Sequence, residues 1–247
     1  MRSIDLNADL GEGAGTDAQL LATVTSANVA CGAHAGSREL MRSTVRAARA
    51  AGVAVGAHPG YPDREGFGRR EVGATPGDIE RWVREQVEEL REICRAEGVR
   101  VRYVKAHGAL YNRAARDVEA AEALVAATAS VDADLAVLAL PASAMLRAAR
   151  AAGLATAREA FLDRGYLSDG TLVPRGATGA LITEARVAAE RAVSITRGEP
   201  VADLDGNPLL IEADSLCLHG DSAGALAMAR RARAGLLKAG LTLAPFA

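Results

Sequence analysis

Apolar and polar positions along the chain follow two periods in alternation. In "SIDLNADLGEG" (3–13), Ile4, Leu6, Ala8 and Leu10 alternate with Asp5, Asn7 and Asp9, the period of two of a strand with unlike faces. "SANVACGAH" (26–34), "VAVGAHPG" (53–60), "VRYVKAHG" (101–108), "LAVLALP" (135–141), "LATAREAF" (154–161) and "DSLCLHGD" (214–221) read as six more short strands. Between them the period lengthens to that of helices. Residues 37–51 form one, with Ser37 as N-cap and Gly52 just past the end. Thr75, Pro76 and Asp78 start another, whose apolar stripe runs through Ile79, Trp82, Val83, Val87, Leu90, Ile93 and Cys94. Further helices are expected over roughly 117–129, near 143–152, near 183–197 and in the closing "SAGALAMARRARAGLLKAG". Asp169-Gly170 and Asp205-Gly206 mark two hairpins.

Strands alternating with helices predict parallel βα units in an α/β fold, closed as a barrel or open and doubly wound. The barrel is expected, because polar residues recur at the carboxyl ends of many strands, where barrels collect their sites. An open sheet would concentrate them at one switch point. No linker or fixed-period repeat divides the chain, so one domain over 1–247 is expected.

Composition narrows the function classes. The 247 residues carry a net charge of −2 with no long basic run, which argues against nucleic acid or an anionic membrane as partner. Aromatics make up only 3%, too few for stacking platforms. Cys31, Cys94 and Cys217 are too few and scattered for a disulfide framework. The chain enters a strand without a basic and apolar leader, and no apolar run approaches the ~20 residues of a membrane span. A cytoplasmic globular protein is expected.

All four histidines, His34, His58, His107 and His219, fall at the ends of predicted strands, each with a Gly within two residues. A single such His is most often a packing residue; four, with acids on the first strand, point to a site. Alternation puts His58 on one face with Gly56 and Ala54, His107 with Lys105 and Tyr103, and His219 with Cys217 and Ser215. His34 joins Asn28 and Gly32 if its strand extends that far. Asp5, Asn7 and Asp9 then face the barrel interior, the small residues beside His34 and His58 leave a polar cavity open, and Glu12 hangs over its mouth. Such a cavity holds groups for acid–base work near neutrality. Asp plus two His is also a divalent-metal ligand set, although no compact metal-binding spacing occurs, so a metal is left open. "GEGAG" is expected to make a turn rather than a phosphate loop, and Cys217 to be a buried structural thiol. Asp163, Arg164, Tyr166 and Arg175 lie in a long loop that is either solvated or a substrate lid.

"DLNADLGEG", "SANVACGAHAG", "GAHPGYPDREGFGRR", "KAHGALYN", "DRGYLSDGTLVPR" and "CLHGD" together resemble, essentially end to end, the family of 5-oxoprolinase A subunits, also called LamB/YcsF. The resemblance implies a variant (β/α) barrel, with seven parallel strands to match those read above, related to metal-dependent carbohydrate deacetylases. It also implies ATP-dependent opening of the lactam 5-oxoproline to glutamate with two partner subunits, B and C. On that reading Asp9 or Asp5 is the base, and Lys105 and His107 supply positive charge. His219, His58 and His34 orient substrate or ligate a metal. Asn7 holds the amide, and Glu12, Tyr111 and Arg175 help bind it. No G-x-x-x-x-G-K-[ST] loop occurs, which favours phosphorylation on a partner subunit. Two alternatives remain at this point: a metal-dependent deacetylase or amidohydrolase, and a non-catalytic subunit that only presents substrate.

Overall fold

Seven parallel strands close on themselves. The computed structural model describes residues 3–220 and 224–247. β1 (Ser3–Leu10), β2 (Ser26–Ala30), β3 (Ala54–His58), β4 (Val101–Val104), β5 (Ala136–Ala139) and β6 (Thr156–Phe161) pair in chain order. After a separate antiparallel pair, β7 (Val201–Ala202) and β8 (Pro208–Leu209), the strand β9 (Ser215–His219) pairs with β6 on one side and β1 on the other. The barrel reading is correct. Asp221, last residue of the "CLHGD" block, and the first two residues of the closing helical stretch lie outside the described residues.

Closure explains why β1 alternates in sequence yet is buried on both faces beyond Ser3. Ile4, Leu6, Ala8 and Leu10 join Val55, Ala57, Leu216 and Leu218 in the core shared with the helices. Asp5, Asn7 and Asp9 point inward, where β2 contributes Ser26 and Asn28 and β9 contributes Ser215, Cys217 and His219 in register. A small inner cluster of Tyr103, Ala136, Leu138 and Ala157, with Phe246 packed on it, fills another part of the interior. Gly56 serves this packing, because a Cβ there would fall inside the Tyr103 ring. That corrects one expectation: the small residue makes room for a side chain, and the barrel is packed rather than hollow over much of its depth.

The helices follow their local signals. α1 (Asp17–Leu21) is short. In α2 (Arg38–Ala51), Ser37 Oγ accepts from the Leu40 N–H, and Gly52 closes the end at φ 68°. α3 (Pro76–Ala96) opens on a reciprocal Thr75–Asp78 capping box. The expected helix near 117–129 is α5 (Val118–Val131), capped by Asp117. Before it lies an unexpected helix, α4 (Gly108–Arg116), whose N-cap position is His107. No Ser, Thr or Asp announces that start, so "KAHG" reads as the tail of a strand. α6 (Ala144–Ala151), α7 (Ala185–Arg197) and α8 (Ala225–Lys238) fall where expected. The Asp205-Gly206 hairpin forms between β7 and β8. Asp169-Gly170 makes a turn with only isolated bridges around it, Tyr166–Leu172 and Arg164–Leu181; Pro174 cannot donate to a ladder there. A last strand, β10 (Thr242–Leu243), pairs in parallel with the amino end of β1. Among the described residues no helix is long and apolar enough to cross a membrane.

Candidate active site

β1 presents its three polar residues at three depths. Asp5 is deepest: its carboxylate accepts from Thr25 Oγ1 at 2.6 Å, from Ser26 Oγ at 2.7 Å, and from Ser215 Oγ. Burial lifts its carboxyl to about 6, against the lowering by those hydroxyls. Two residues on, Asn7 donates to Ser215 Oγ at 2.7 Å and Glu159 Oε1 at 3.2 Å, and accepts from Asn28 at 2.7 Å. Tyr103 OH donates to Asn28 Oδ1 at 2.6 Å. Asp5 and Asn7 therefore tie strands together below the cavity and do not line it.

Asp9 is the member of the series that reaches the carboxyl end. Lys105 Nζ lies 2.9 Å from Asp9 Oδ1, 2.9 Å from Glu159 Oε1 and 3.0 Å from Cys217 Sγ, with all four side chains buried. Burial would discharge both Asp9 and Lys105, but their charged neighbours prevail. Lys105 holds Asp9 well below the usual carboxylate range, while Asp9 and Glu159 hold Lys105 well above its ordinary value. Glu159 also accepts from Tyr111 OH at 2.9 Å. Sequence reasoning passed over Glu159, although it shares the inner face of "TAREAF" with Ala157 and Phe161. Cys217 is buried, as expected, and its burial pushes the thiol up.

The histidines form two groups. His219 Nδ1 sits 3.0 Å from both carboxylate oxygens of Asp163, which also accepts its backbone N–H at 3.0 Å. That contact assigns a proton to Nδ1 and turns Nε2, 3.8 Å from Asp9, to the cavity side. Asp163, buried at the end of β6, is a positioning residue that the loop reading left ambiguous. The other three histidines gather with Glu12. His34 and His107 stack at 3.7 Å between ring centroids, and His107 Nδ1 lies 3.0 Å from His58 Nε2. β2 ends at Ala30, so His34 arrives on the following loop rather than by strand parity. Its ring is held down to about 3 by burial beside His58. The ladder persists past β4, with Lys105 and His107 N–H donating to Ala57 and Pro59, and this keeps both side chains level with His58.

A cavity of about 230 Å³ opens over these groups. Asp9, His58, Lys105, His107, Tyr111 and His219 line its floor and walls, with Arg69, Arg116, Arg164 and Arg175 around them. Arg164, Leu167, Leu172 and Arg175, from the segment after β6, form one side. Arg164, buried, donates to Ala180 O at 3.1 Å and Val173 O at 2.7 Å and so holds that excursion closed on itself. Burial and Arg175 push its guanidinium down to about 10. The loop is thus an ordered wall that brings Arg175 to the cavity.

Comparison with known proteins meets this geometry with a family. The LamB/YcsF family model matches residues 4–247. This chain belongs to that family. It is 48% identical over 248 residues to a protein of Chloroflexus aggregans named as the A subunit of 5-oxoprolinase, covering 98% of each chain. A solved structure from Thermus thermophilus, described as a lactam utilization protein, superimposes with a TM-score of 0.92 at 42% identity, covering 99% of this chain and 100% of that one. The catalytic domain of a peptidoglycan N-acetylglucosamine deacetylase from Eubacterium rectale shares the fold alone, with a TM-score of 0.53 at 12% identity, covering 100% of this chain and 89% of that one. The LamB/YcsF blocks noted in the sequence converge here. "DLNADLGEG", "CGAHAG", "GAHPG", "KAHGALYN", "DRGYLSDGTLVPR" and "CLHG" each place at least one side chain at the cavity or in its histidine cluster.

Proposed function

We propose that this LamB/YcsF protein hydrolyses the lactam ring of 5-oxo-L-proline to L-glutamate, as the A subunit of an ATP-dependent assembly with subunits B and C. The names of its relatives support the substrate class. The observation that carries the chemistry is the facing pair of a carboxylate-backed His219 and a buried Lys105 across one small cavity.

A lactam is a resonance-stabilised amide and a poor electrophile. Phosphorylation of its oxygen by ATP leaves a C=N bond whose carbon accepts water. In this reading His219 Nε2 takes a proton from that water, with Asp163 steadying the imidazolium. The C–N bond then breaks, the ring nitrogen leaves as the protonated amine, and an acyl phosphate remains. A second water hydrolyses it to the carboxylate and inorganic phosphate. Asp9, held ionised, is a poor proton acceptor; its part is to fix Lys105, whose charge offsets the negative charge that builds at the reacting carbon's oxygens. The arginines around the cavity suit the substrate carboxylate and the phosphoryl group, which guanidinium forks bind bidentately. The chain has no G-x-x-x-x-G-K-[ST] loop, so the phosphorylating step is assigned to a partner subunit.

The test measures glutamate and ADP released from 5-oxoproline and ATP by the chain alone and with both partner subunits. Turnover only in the assembly is the expected result. Turnover by the chain alone would move ATP into this barrel, and no glutamate in any combination would refute the substrate.

A further inference from the structure

His58 and His107 present an electrostatic conflict that their own hydrogen bonds create. His58 Nδ1 lies 2.8 Å from the carbonyl oxygen of Lys105, and His107 Nε2 lies 2.8 Å from that of Phe67. A carbonyl oxygen only accepts, so each of those ring nitrogens carries the proton. The remaining nitrogens, His58 Nε2 and His107 Nδ1, then face each other 3.0 Å apart as bare lone pairs. Carboxylate oxygens crowd the same point. Glu12 Oε1 is 3.5 Å from His107 Nδ1 and 3.3 Å from His34 Nε2, and Asp9 Oδ2 is 3.3 Å from His58 Nε2. Electron-rich atoms this close repel unless something positive lies among them.

We propose that Glu12, His34, His58 and His107 bind one divalent transition-metal ion of the zinc class. One ligand atom from each lies within 4.8 Å of every other. Zinc–nitrogen bonds of about 2.0–2.1 Å in a tetrahedron put ligand atoms roughly 3.3 Å apart, close to the 3.0, 3.3 and 3.5 Å of three of the six pairs here. Three imidazoles and one carboxylate suit zinc, cobalt or nickel rather than magnesium or calcium, which take oxygen ligands. A single shared proton would reconcile His58 with His107 but leave Glu12 and His34 outside that bond; one ion reaches all four once the His34 ring, stacked on His107 at 3.7 Å, turns its lone pair toward it.

The surroundings are built for this aim. Ligating imidazoles characteristically donate their far N–H to a carbonyl or carboxylate, as His58 and His107 do. Phe67 holds a left-handed backbone, φ 55°, uncommon for a non-glycine residue, at the carbonyl that His107 meets. Gly68 follows at φ 64°, and a Cβ there would lie 2.8 Å from His34 Cβ and 2.9 Å from His107 Cδ2. His34 Nδ1 is buried without a hydrogen-bond partner, so no backbone acceptor dictates which His34 nitrogen is bare. When bound, the ion supplies a Lewis acid at the edge of the cavity. The inference holds whether or not 5-oxoproline is the substrate.

The experiment needs no turnover. Full-length protein stripped with a chelator is titrated with zinc by calorimetry and with cobalt by visible absorption. One equivalent is expected, with the intense d–d bands of a four-coordinate cobalt site. His58→Ala and His107→Ala are each expected to weaken zinc binding by at least about 100-fold, at or beyond the upper end of outer-partner losses at metal sites. Nitrogen-15 spectra of the unmutated protein provide the measurement that survives a variant's failure to fold: zinc should shift His58 Nε2 and His107 Nδ1. Absence of binding at tens of micromolar zinc would overturn the proposal. So would binding that leaves those two nitrogens unmoved or survives the His58→Ala/His107→Ala double substitution.

Discussion

Replacing Lys105 by Met keeps most of its volume and removes its charge. The ammonium is within 2.9 Å of two carboxylates, and Asp9 and Glu159 are only 4% and 0% exposed. Water therefore cannot take the place of the lost cation. Removing one partner of a buried ion pair costs about 3–5 kcal/mol, because the remaining charge stays desolvated. For a chain of this size each kcal/mol lowers the melting temperature by about 2–4 °C, so a fall of roughly 6–20 °C is expected. Urea unfolding followed by the single tryptophan, Trp82, reads the change directly. The loss should also depend on pH. In the native protein Asp9 has a depressed pKa, so its contribution is present above the unfolded value and fades as pH falls through the folded one. In Lys105→Met the orphaned carboxylates sit above their unfolded values, so the folded state gains protons first and recovers stability as pH falls. The gap to the native protein should therefore narrow from pH 8 to pH 5. Adding Glu159→Gln should restore at least half of the loss. A deficit under about 1 kcal/mol, against the 3–5 expected, or one equal at both pH values, would refute the claim that this lysine neutralises two buried acids.

Three further substitutions probe separate features of the site and its packing. Asp163→Asn should lower kcat for glutamate release by the assembly roughly 10²–10⁴-fold with little change in KM, the contribution of an oriented general base; a change within twofold would remove His219 from that role. Asp5→Asn should flatten the pH dependence of stability: with its folded pKa near 6 and the unfolded value near 3.9, Asp5 makes the protein about 3 kcal/mol less stable as pH rises between them. Urea midpoints at pH 4.5, 5.5 and 6.5 test it, and an unaltered slope would contradict the assignment. Gly56→Ala should destabilise by about 1–3 kcal/mol or more, since the new methyl must displace the Tyr103 ring and its bond to Asn28; an unchanged unfolding midpoint would mean that the barrel interior is looser than these contacts imply.

Much of the framework was legible one segment at a time. Alternation in "IDLNADL" assigns Asp5, Asn7 and Asp9 to one face because successive side chains of any extended chain point opposite ways, a local property of the backbone. Ser37, Thr75-Pro76 and Gly52 mark helix ends through hydrogen bonds made within a few residues. The strand–helix alternation suggested a barrel, and the inner faces of β3, β4 and β9 followed from parity. Depth and partnership were not legible. Asp5, Asn7 and Asp9 carry equivalent signals, yet only Asp9 meets the cavity, because the others lie where Ser26, Asn28 and Ser215 close around them. Glu159 and Asp163 gain their roles from Lys105 and His219, separated from them by 54 and 56 residues. His34 reaches the cluster on a loop whose path no periodicity encodes. Lys105 finds Asp9 across 96 residues, and Asn7 finds Ser215 across 208. Local sterics set the direction of each side chain; which charges met, and which became too buried to remain unpaired, was decided when β9 closed the ring against β1.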